Sequence, residues 1–498
     1  MNLLISYMFT PLVLILVLLI GAAISYWPMS ERRLRGWGVG AMLAGSTVAT
    51  VIALRGFGAA QFYGPGVTWH VDGLAALLTL MIAVVSFTAS VVSYRYLAHE
   101  HHEGVISLAD LRLYYFCLPL FVAAMYVSTL ANNAGVLWIA LEATTLATTL
   151  LVAFYRKRSA IEAAWKYVIL CSLGISIGLV GVLLTGAAAS SGSEHAPLFL
   201  SSLQDIAAAG NMNVGILKFA FVFLFVGIGT KVGFVPMHTW LPDAHSKTPS
   251  PISALLSGLL LNVAFVGLLR FKFITDTALQ DGGQWTGMFF LVFGLSSILL
   301  PALMMLIQKN YKRLLAYSSI EHMGLMAVSV GLGPAGLIPA FLHMPAHALA
   351  KSGMFYGSGE ILERYKTTES PAIRDLASKM PTLAFLFMAM LVLLLGMPPS
   401  GLFTSEIIMI GYGLQQHVAV TLVVVLGLTI AFVGMIRHVM DMLWTEQHGH
   451  DSREPFNSTY LMMSLHLVLV IALCIFALTP AGLQFMVNLV SSTIPGAI

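Results

Sequence analysis

Charge is what this chain has least of: Asp, Glu, Lys and Arg make up only 9% of its 498 residues, against about 25% in soluble globular domains. The 25 Lys and Arg against 22 Asp and Glu leave a net charge of +3. That supplies no clustered basic surface for neutralising phosphates, so nucleic acid is excluded as a main partner. Cysteine is equally scarce. Cys117, Cys171 and Cys474 lie far apart, which excludes a CxxC pair, a c-type haem attachment, an iron–sulfur spacing and a disulfide framework. Redox chemistry therefore belongs to other chains. Long polar stretches are missing too: the longest, 361–381 and 439–459, fall short of domain size, and the chain is expected to have no catalytic centre of its own.

What is present is apolar residue, 58% of the chain. A helix needs about 20 mostly apolar residues to cross a bilayer. Such segments fall near 3–27, 37–55, 72–95, 114–131, 135–155, 166–189, 212–235, 251–270, 286–306, 314–332, 336–360, 382–412, 418–438 and 460–480. The expected fold is an all-α polytopic membrane protein of about fourteen spans. The first run is too long for a signal-peptide core and lacks an A-x-A-like exit, so it reads as a membrane helix. Arg32, Arg33 and Arg35, then Arg156, Lys157, Arg158 and Lys166, then Lys309, Lys312 and Arg313 fall on one side under this count. By the positive-inside rule that side is the cytoplasm and both termini face out. Arg270 and Lys272 run against the pattern.

Two spans carry proline–glycine interruptions, one around Lys231, Gly233 and Pro236, the other around Gly396, Pro398, Pro399 and Gly401. Broken helices are tolerated at membrane depth only where protein or a wet cavity satisfies the freed backbone, and they recur at matching places in repeated halves of transporters. The two lie five spans apart. The expected organisation is 1–113 as three leading helices, 114–270 and 286–438 as two inverted five-helix repeats each with a broken helix, and 439–498 as a cytoplasmic loop and last helix.

An ionisable group inside a membrane costs roughly 2.5–3.5 kcal/mol on insertion scales, so each one here is a candidate functional residue. Glu142 sits in VLWIALEATTLATTLLVAF, and Lys231 directly follows the apolar run FAFVFLFVGIGT. His238, Asp243 and His245 in MHTWLPDAHSKTPSP fit a surface-lying segment anchored by Trp240. Glu321 and His322 lie in one span, and His343, His347 and Lys351 follow at i, i+4 steps on one face of the next. A His pair at that spacing suits zinc, but the glutamate and third ligand of the zinc-protease motif are missing. No metal site and no cofactor site are assigned. A line of titratable groups is the more economical reading, because chains of His and carboxylate carry protons through bilayers. Glu406, just after the second break, corresponds to Lys231 at the first, with opposite charge. Gly174 and Gly178 are spaced for helix packing.

The block GIGTKVGFVPMHTWLPDAHSKTPSPISALLSG, with AYSSIEHMG and HALAKSGMFYGSG, resembles the proton-conducting antiporter-like subunits of respiratory complex I and the multisubunit Mrp cation/proton antiporters. The order of the motifs matches over about residues 70–440. EATTLATTLLVAFYRKRSAIEAAWKYVILCSLG is most similar to the hydrogenase-4 component F group, found beside membrane-bound group 4 nickel–iron hydrogenases. The resemblance implies a fourteen-helix core and proton translocation, with Na⁺ exchange as a variant, driven by a redox module on other membrane and peripheral subunits in a prokaryotic inner membrane. It assigns the proton path to Glu142, Lys231, His322, His343, His347, Lys351 and Glu406, with Lys166, His238, Asp243 and Asn262 as auxiliaries.

Asn262 stands where such subunits commonly carry a lysine or histidine, and an amide does not titrate, though it can bind water. No long lateral helix is expected after span fourteen. A mechanism follows from these residues: Glu142 and Lys231 form a switchable ion pair, and the proton passes through the histidines to Glu406. Chains of this superfamily also resemble the membrane half of two-component inorganic-carbon accumulation systems, whose soluble partner contains zinc. Redox cofactors or zinc are thus expected on partners, not on this chain.

Overall fold

The computed structural model describes residues 10–58, 61–63, 68–190, 198–444 and 456–493. Six helices lead: α1 Thr10–Ile24, α2 Glu31–Gly56, α3 Gly73–His102, α4 Leu108–Leu130, α5 Ala134–Val152 and α6 Arg158–Ala189. A two-stranded antiparallel hairpin, β1 Gln61–Tyr63 with β2 Trp69–Val71, joins α2 to α3. A short α7, Leu200–Ala208, precedes an interrupted helix, α8 Val214–Val232 and α9 Trp240–Lys247. Next, α10 Ser250–Leu255 passes through a π-helical turn at Leu256–Leu260 into α11 Leu261–Leu279.

The second half repeats the order with α12 Gln284–Ile307, α13 Tyr311–Gly331, α14 Leu337–Tyr365, the short α15 Leu376–Lys379, a second interrupted helix of α16 Pro381–Leu394 and α17 Gly401–Gln416, and α18 Val418–Trp444. Two more, α19 Ser458–Ala477 and α20 Pro480–Thr493, close the described chain.

Each of the expected spans coincides with helix; residues 3–9 of the first, and 445–455 of the expected loop, lie outside the described residues. Among the described residues, ten helices or joined helix pairs are long and apolar enough to cross a bilayer by length and composition. The helices α13 and α14 are not among these, and they carry Glu321, His322, His343, His347 and Lys351. Their polar residues are buried inside the bundle, whereas Leu146, Leu173, Leu303 and Leu422 on outer helices are exposed. That is the inside-out polarity of a protein solvated by lipid.

Both interruptions satisfy their own backbone. At the first, Gly233 takes a left-handed φ of 87° as the helix cap, a conformation glycine adopts without strain. The Trp240 indole N–H then donates to the Thr230 carbonyl at 2.9 Å, and the Val235 N–H donates to Ser297 Oγ at 2.9 Å. At the second, Ser400 Oγ donates to the Leu393 carbonyl at 2.9 Å and accepts from the Leu402 N–H at 3.1 Å.

Trp240 is fully buried, which corrects the surface-lying reading of its segment: the indole serves the break and does not anchor at an interface. The helix α20 was not expected. Arg270 and Lys272 depart from the charge pattern because each is paired, Arg270 with Asp72 and Lys272 with Asp276, and so neither acts as a free loop charge.

Glycines set how closely the site-bearing helices approach. A methyl on Gly227 of α8 would lie 2.4 Å from the Gly178 nitrogen of α6, and one on Gly174 would lie 2.7 Å from the Thr230 side chain. The Gly174/Gly178 spacing is therefore a packing face, and it presses the Lys231 helix against α6.

Candidate functional site

The site-bearing groups gather in a first group around Lys231, a middle one around Lys351 and a last one around His343. In the first, Lys231 is fully buried at the end of α8, which excludes snorkelling to the interface. Its ammonium donates to the Thr145 hydroxyl and, at 3.4 Å, to Tyr167 OH. Glu142 lies one turn before Thr145 on α5. Its carboxylate accepts from Thr145 Oγ1 at 3.4 Å and from Ser172 Oγ of α6 at 2.5 Å. The expected direct Glu142–Lys231 pair is thus not formed; Thr145 stands between the two charges. Tyr167 OH is also 2.8 Å from Thr148 Oγ1, so hydroxyls surround the Lys231 ammonium.

In the middle group, the Lys351 ammonium donates to the Leu315 carbonyl of α13 at 2.9 Å. Glu321 and His245 lie within electrostatic reach of it. His245, fully buried in α9, has no protein partner for either ring nitrogen. Asn262 donates to the Gly258 carbonyl at 2.7 Å and its side-chain oxygen has no protein partner. Gly258 falls within the π-helical turn, a feature frequent at functional sites. It packs so closely on α14 that a methyl there would lie 2.7 Å from Ser352 Oγ. Ser257 Oγ in the same turn is 2.6 Å from Ser319 Oγ of α13.

In the last group three helices converge. His322 Nδ1 of α13 is 3.1 Å from His343 Nε2 of α14, and His343 Nδ1 is 2.9 Å from Ser405 Oγ of α17. Glu321 Oε2 is 3.7 Å from His322 Nε2. The His347 ring centre lies 5.0 Å from that of His322, and neither of its nitrogens has a protein partner. Glu406 of α17 is buried with Oε1 unpartnered. It packs on Gly396 of the break, where φ is 65° and a methyl would lie 2.1 Å from Oε2. A cavity of about 270 Å³ is lined by Ser318, Glu321, His322, Glu406 and Thr429, among others.

The auxiliary candidates separate by position. Asp243 pairs with Arg313 and, at 3.2 Å, with Lys166, which also holds Glu162 at 2.9 Å. These partly exposed pairs tie α6, α9 and α13 together at the edge of the bundle, apart from the three buried groups. His238 is buried beside the Tyr317 ring, at 6.5 Å between centres. On the same edge a cavity of about 440 Å³ is lined by His99, Glu100, Glu103, Lys312, Thr248 and Lys366, among others. Tyr155 OH donates to Glu100 there at 2.5 Å, and the Lys312 ammonium donates to the Thr248 carbonyl at 3.2 Å. The exposed Glu103 carboxyl is held below its usual range by the Lys366 ammonium beside it.

Thr145, Ser172, Tyr167 and Ser405 went unnamed in the sequence reading. The i, i+3 spacing of Glu142 and Thr145 was a usable signal for the first of them.

A family model described as the transmembrane part of NADH:quinone oxidoreductase and the Mrp antiporter matches residues 131–432. A hydrogenase-4 component F homolog from Methylacidiphilum infernorum is 36% identical over 414 residues, 82% of this chain and 85% of that protein. Among solved structures, a chain of the membrane-bound sulfane sulfur reductase, an archaeal respiratory membrane complex, superposes with a TM-score of 0.86 at 20% identity, covering 99% of this chain and 98% of the other. A chain of the Mrp complex from Dietzia sp. gives 0.83 at 18% identity over 99% and 97%. At those identities the likeness is one of fold.

Proposed function

The chain belongs to the NADH:quinone oxidoreductase/Mrp antiporter transmembrane family, and from that premise we propose that it moves protons across the membrane along the Glu142–Lys231–Lys351–Glu406 path. The observation that carries this reading is burial. Lys231, Lys351, Glu321, His322, His343, His347 and Glu406 are each at most 7% exposed, on helices whose surroundings are otherwise apolar. So many ionisable groups are too costly to keep in a membrane for packing alone.

The steps use this chain's own residues. A proton on Lys231 is stabilised by Glu142 through Thr145. When the carboxylate withdraws, the buried ammonium loses its countercharge and gives up its proton toward Lys351. Asn262 does not carry charge, so its unpartnered side-chain oxygen orients water in that gap. His322 and His343 share a hydrogen bond, and rotation of either ring passes a proton along it toward Glu406.

Uptake takes place through the cavity lined by Glu100 and Lys312, and the charge pattern of the loops supports a cytoplasmic position for this side, with both termini outside. Because family members are subunits of multisubunit complexes, a hydrogenase-like or quinone-reductase-like module on partner chains supplies the driving energy. The similarity to a hydrogenase-4 component F homolog supports that choice over an inorganic-carbon system.

Affinity purification in mild detergent with mass-spectrometric identification of co-purifying chains, followed by vesicle acidification assays with and without Na⁺, tests this. Nickel–iron hydrogenase-like or quinone-reductase-like partners and H⁺ flux independent of Na⁺ are expected. A single large soluble zinc protein as the partner would replace the redox reading.

A further inference from the structure

In the last group two histidines and a carboxylate from three helices come together inside the bundle, and there the arrangement suits more than a proton. His322, His343 and Glu406 come from three different helices, and one ligand atom of each lies within 4.8 Å of the other two. All three residues are buried, and Glu406 Oε1 has no partner. We propose that these three side chains form a binding site for a divalent transition-metal ion of the zinc type.

The geometry fits in three respects. His322 Nδ1 and His343 Nε2 are 3.1 Å apart, close to the ~3.3 Å edge of a tetrahedron built on ~2.0 Å zinc–nitrogen bonds. The nitrogen on the far side of the His343 ring already has an acceptor of the kind that orients ligating histidines, and the Glu321 carboxylate lies behind the His322 ring, beyond hydrogen-bond distance. His343 Nδ1 is 2.9 Å from Ser405 Oγ, whose own hydroxyl donates to the Leu402 carbonyl at 2.7 Å, and His322 Nε2 is 3.7 Å from Glu321. A hydrogen-bonded carboxylate or hydroxyl behind the ring fixes the tautomer that points its lone pair at a metal. The 270 Å³ cavity beside His322 and Glu406 leaves room for water at the fourth position.

This set differs from the His343/His347 pair that spacing alone suggests. His347 sits on the same helix, but it does not belong to the cluster of three. The mixed nitrogen and oxygen donors favour zinc and its neighbours over magnesium or calcium, which take oxygen ligands. On binding, the metal replaces the proton that now bridges the two rings, and that proton leaves to solvent. Blocked proton flux is a consequence that rests on the proposed function; occupancy does not.

The test uses the full chain in detergent with its partners, in a background carrying H99Q, H101Q, H102Q, H448Q and H450Q, since the HEHH and HGH runs can bind zinc by themselves. Zinc is titrated against a competing fluorescent chelator. One site per chain is expected, weakened at least about tenfold by His343→Ala and by Glu406→Gln, and changed less than about twofold by His347→Ala.

X-ray absorption on zinc-loaded background protein removes any dependence on variants that fail to assemble. Two imidazoles plus oxygen in the first shell support the site; a shell of oxygen only, or one containing sulfur, overturns it. Affinity unchanged by both His343→Ala and Glu406→Gln also overturns it. Stoichiometric binding with the expected shell but undiminished proton flux upholds the site and counts against the proton path alone.

Discussion

The Lys231 ammonium donates to the Thr145 hydroxyl, and that hydroxyl in turn lies 3.4 Å from the Glu142 carboxylate. A single threonine thus couples the two charges that begin the proposed path. Its hydroxyl serves as acceptor for the lysine and donor for the carboxylate, so a small rotation of one side chain makes or breaks the link without moving a helix.

Thr145→Val keeps the shape and removes the hydroxyl. Proton flux in vesicles carrying the assembled complex is expected to fall about tenfold, and Thr145→Ser is expected to retain most of it. Equal flux in the valine variant would remove the threonine from the mechanism.

Gly396 holds the other end. Its left-handed backbone resists any side chain by about 1–2 kcal/mol, and a methyl would meet Glu406 Oε2 at 2.1 Å. Gly396→Ala should therefore displace the carboxylate and reduce flux as far as Glu406→Gln does, although no charge is lost. Normal flux in Gly396→Ala would show that the position of Glu406 is immaterial.

The buried Asp72–Arg270 pair fixes the N-terminus of α3 to α11; Asp72 also accepts from the Ala75 N–H at 2.8 Å, capping its helix. Arg270→Met leaves an unpaired buried carboxylate and is expected to destabilise by about 3 kcal/mol. Adding Asp72→Asn should restore most of that loss. Thermal unfolding in detergent checks both, and an additive double variant would contradict the pairing.

How much of this was legible in the sequence depended on whether a signal is local. Apolar runs of about 20 residues fixed the spans, and Lys231 stood out because it directly follows FAFVFLFVGIGT, which holds no charged residue. Hydroxyls are harder to read. Thr148 and Ser176 donate to carbonyls one turn back, at 2.6 and 2.7 Å, as membrane-helix hydroxyls commonly do, so nothing local marks Ser172 or Ser405 as different. The His322–His343 contact joins two helices through tertiary packing, which i, i+4 spacing cannot reveal. Trp240 was misread because its neighbours are polar, while its indole turns inward to a carbonyl freed by the break.

His70, in β2 outside the spans, supplies a pH test. Burial pushes its imidazole down to about 4, with Asp72 opposing and Arg270 adding to the effect. Between pH 6.5 and 4 the unfolded chain binds the proton that the folded chain refuses, so stability from this group is full above 6.5 and lost as pH falls toward 4. Melting temperatures of the unsubstituted protein and His70→Asn should diverge at pH 7 and converge near pH 4. A constant difference across that range would contradict the assignment.

The central claim is that protons cross on this chain's buried side chains. The most direct measurement is the ratio of protons moved to turnovers of the driving module, in vesicles carrying the unsubstituted complex, Glu142→Gln or Lys231→Ala, with assembly verified for each. The account predicts that both substitutions lower the ratio by this subunit's whole contribution. An unchanged ratio in fully assembled variants would contradict it and leave the chain a scaffold.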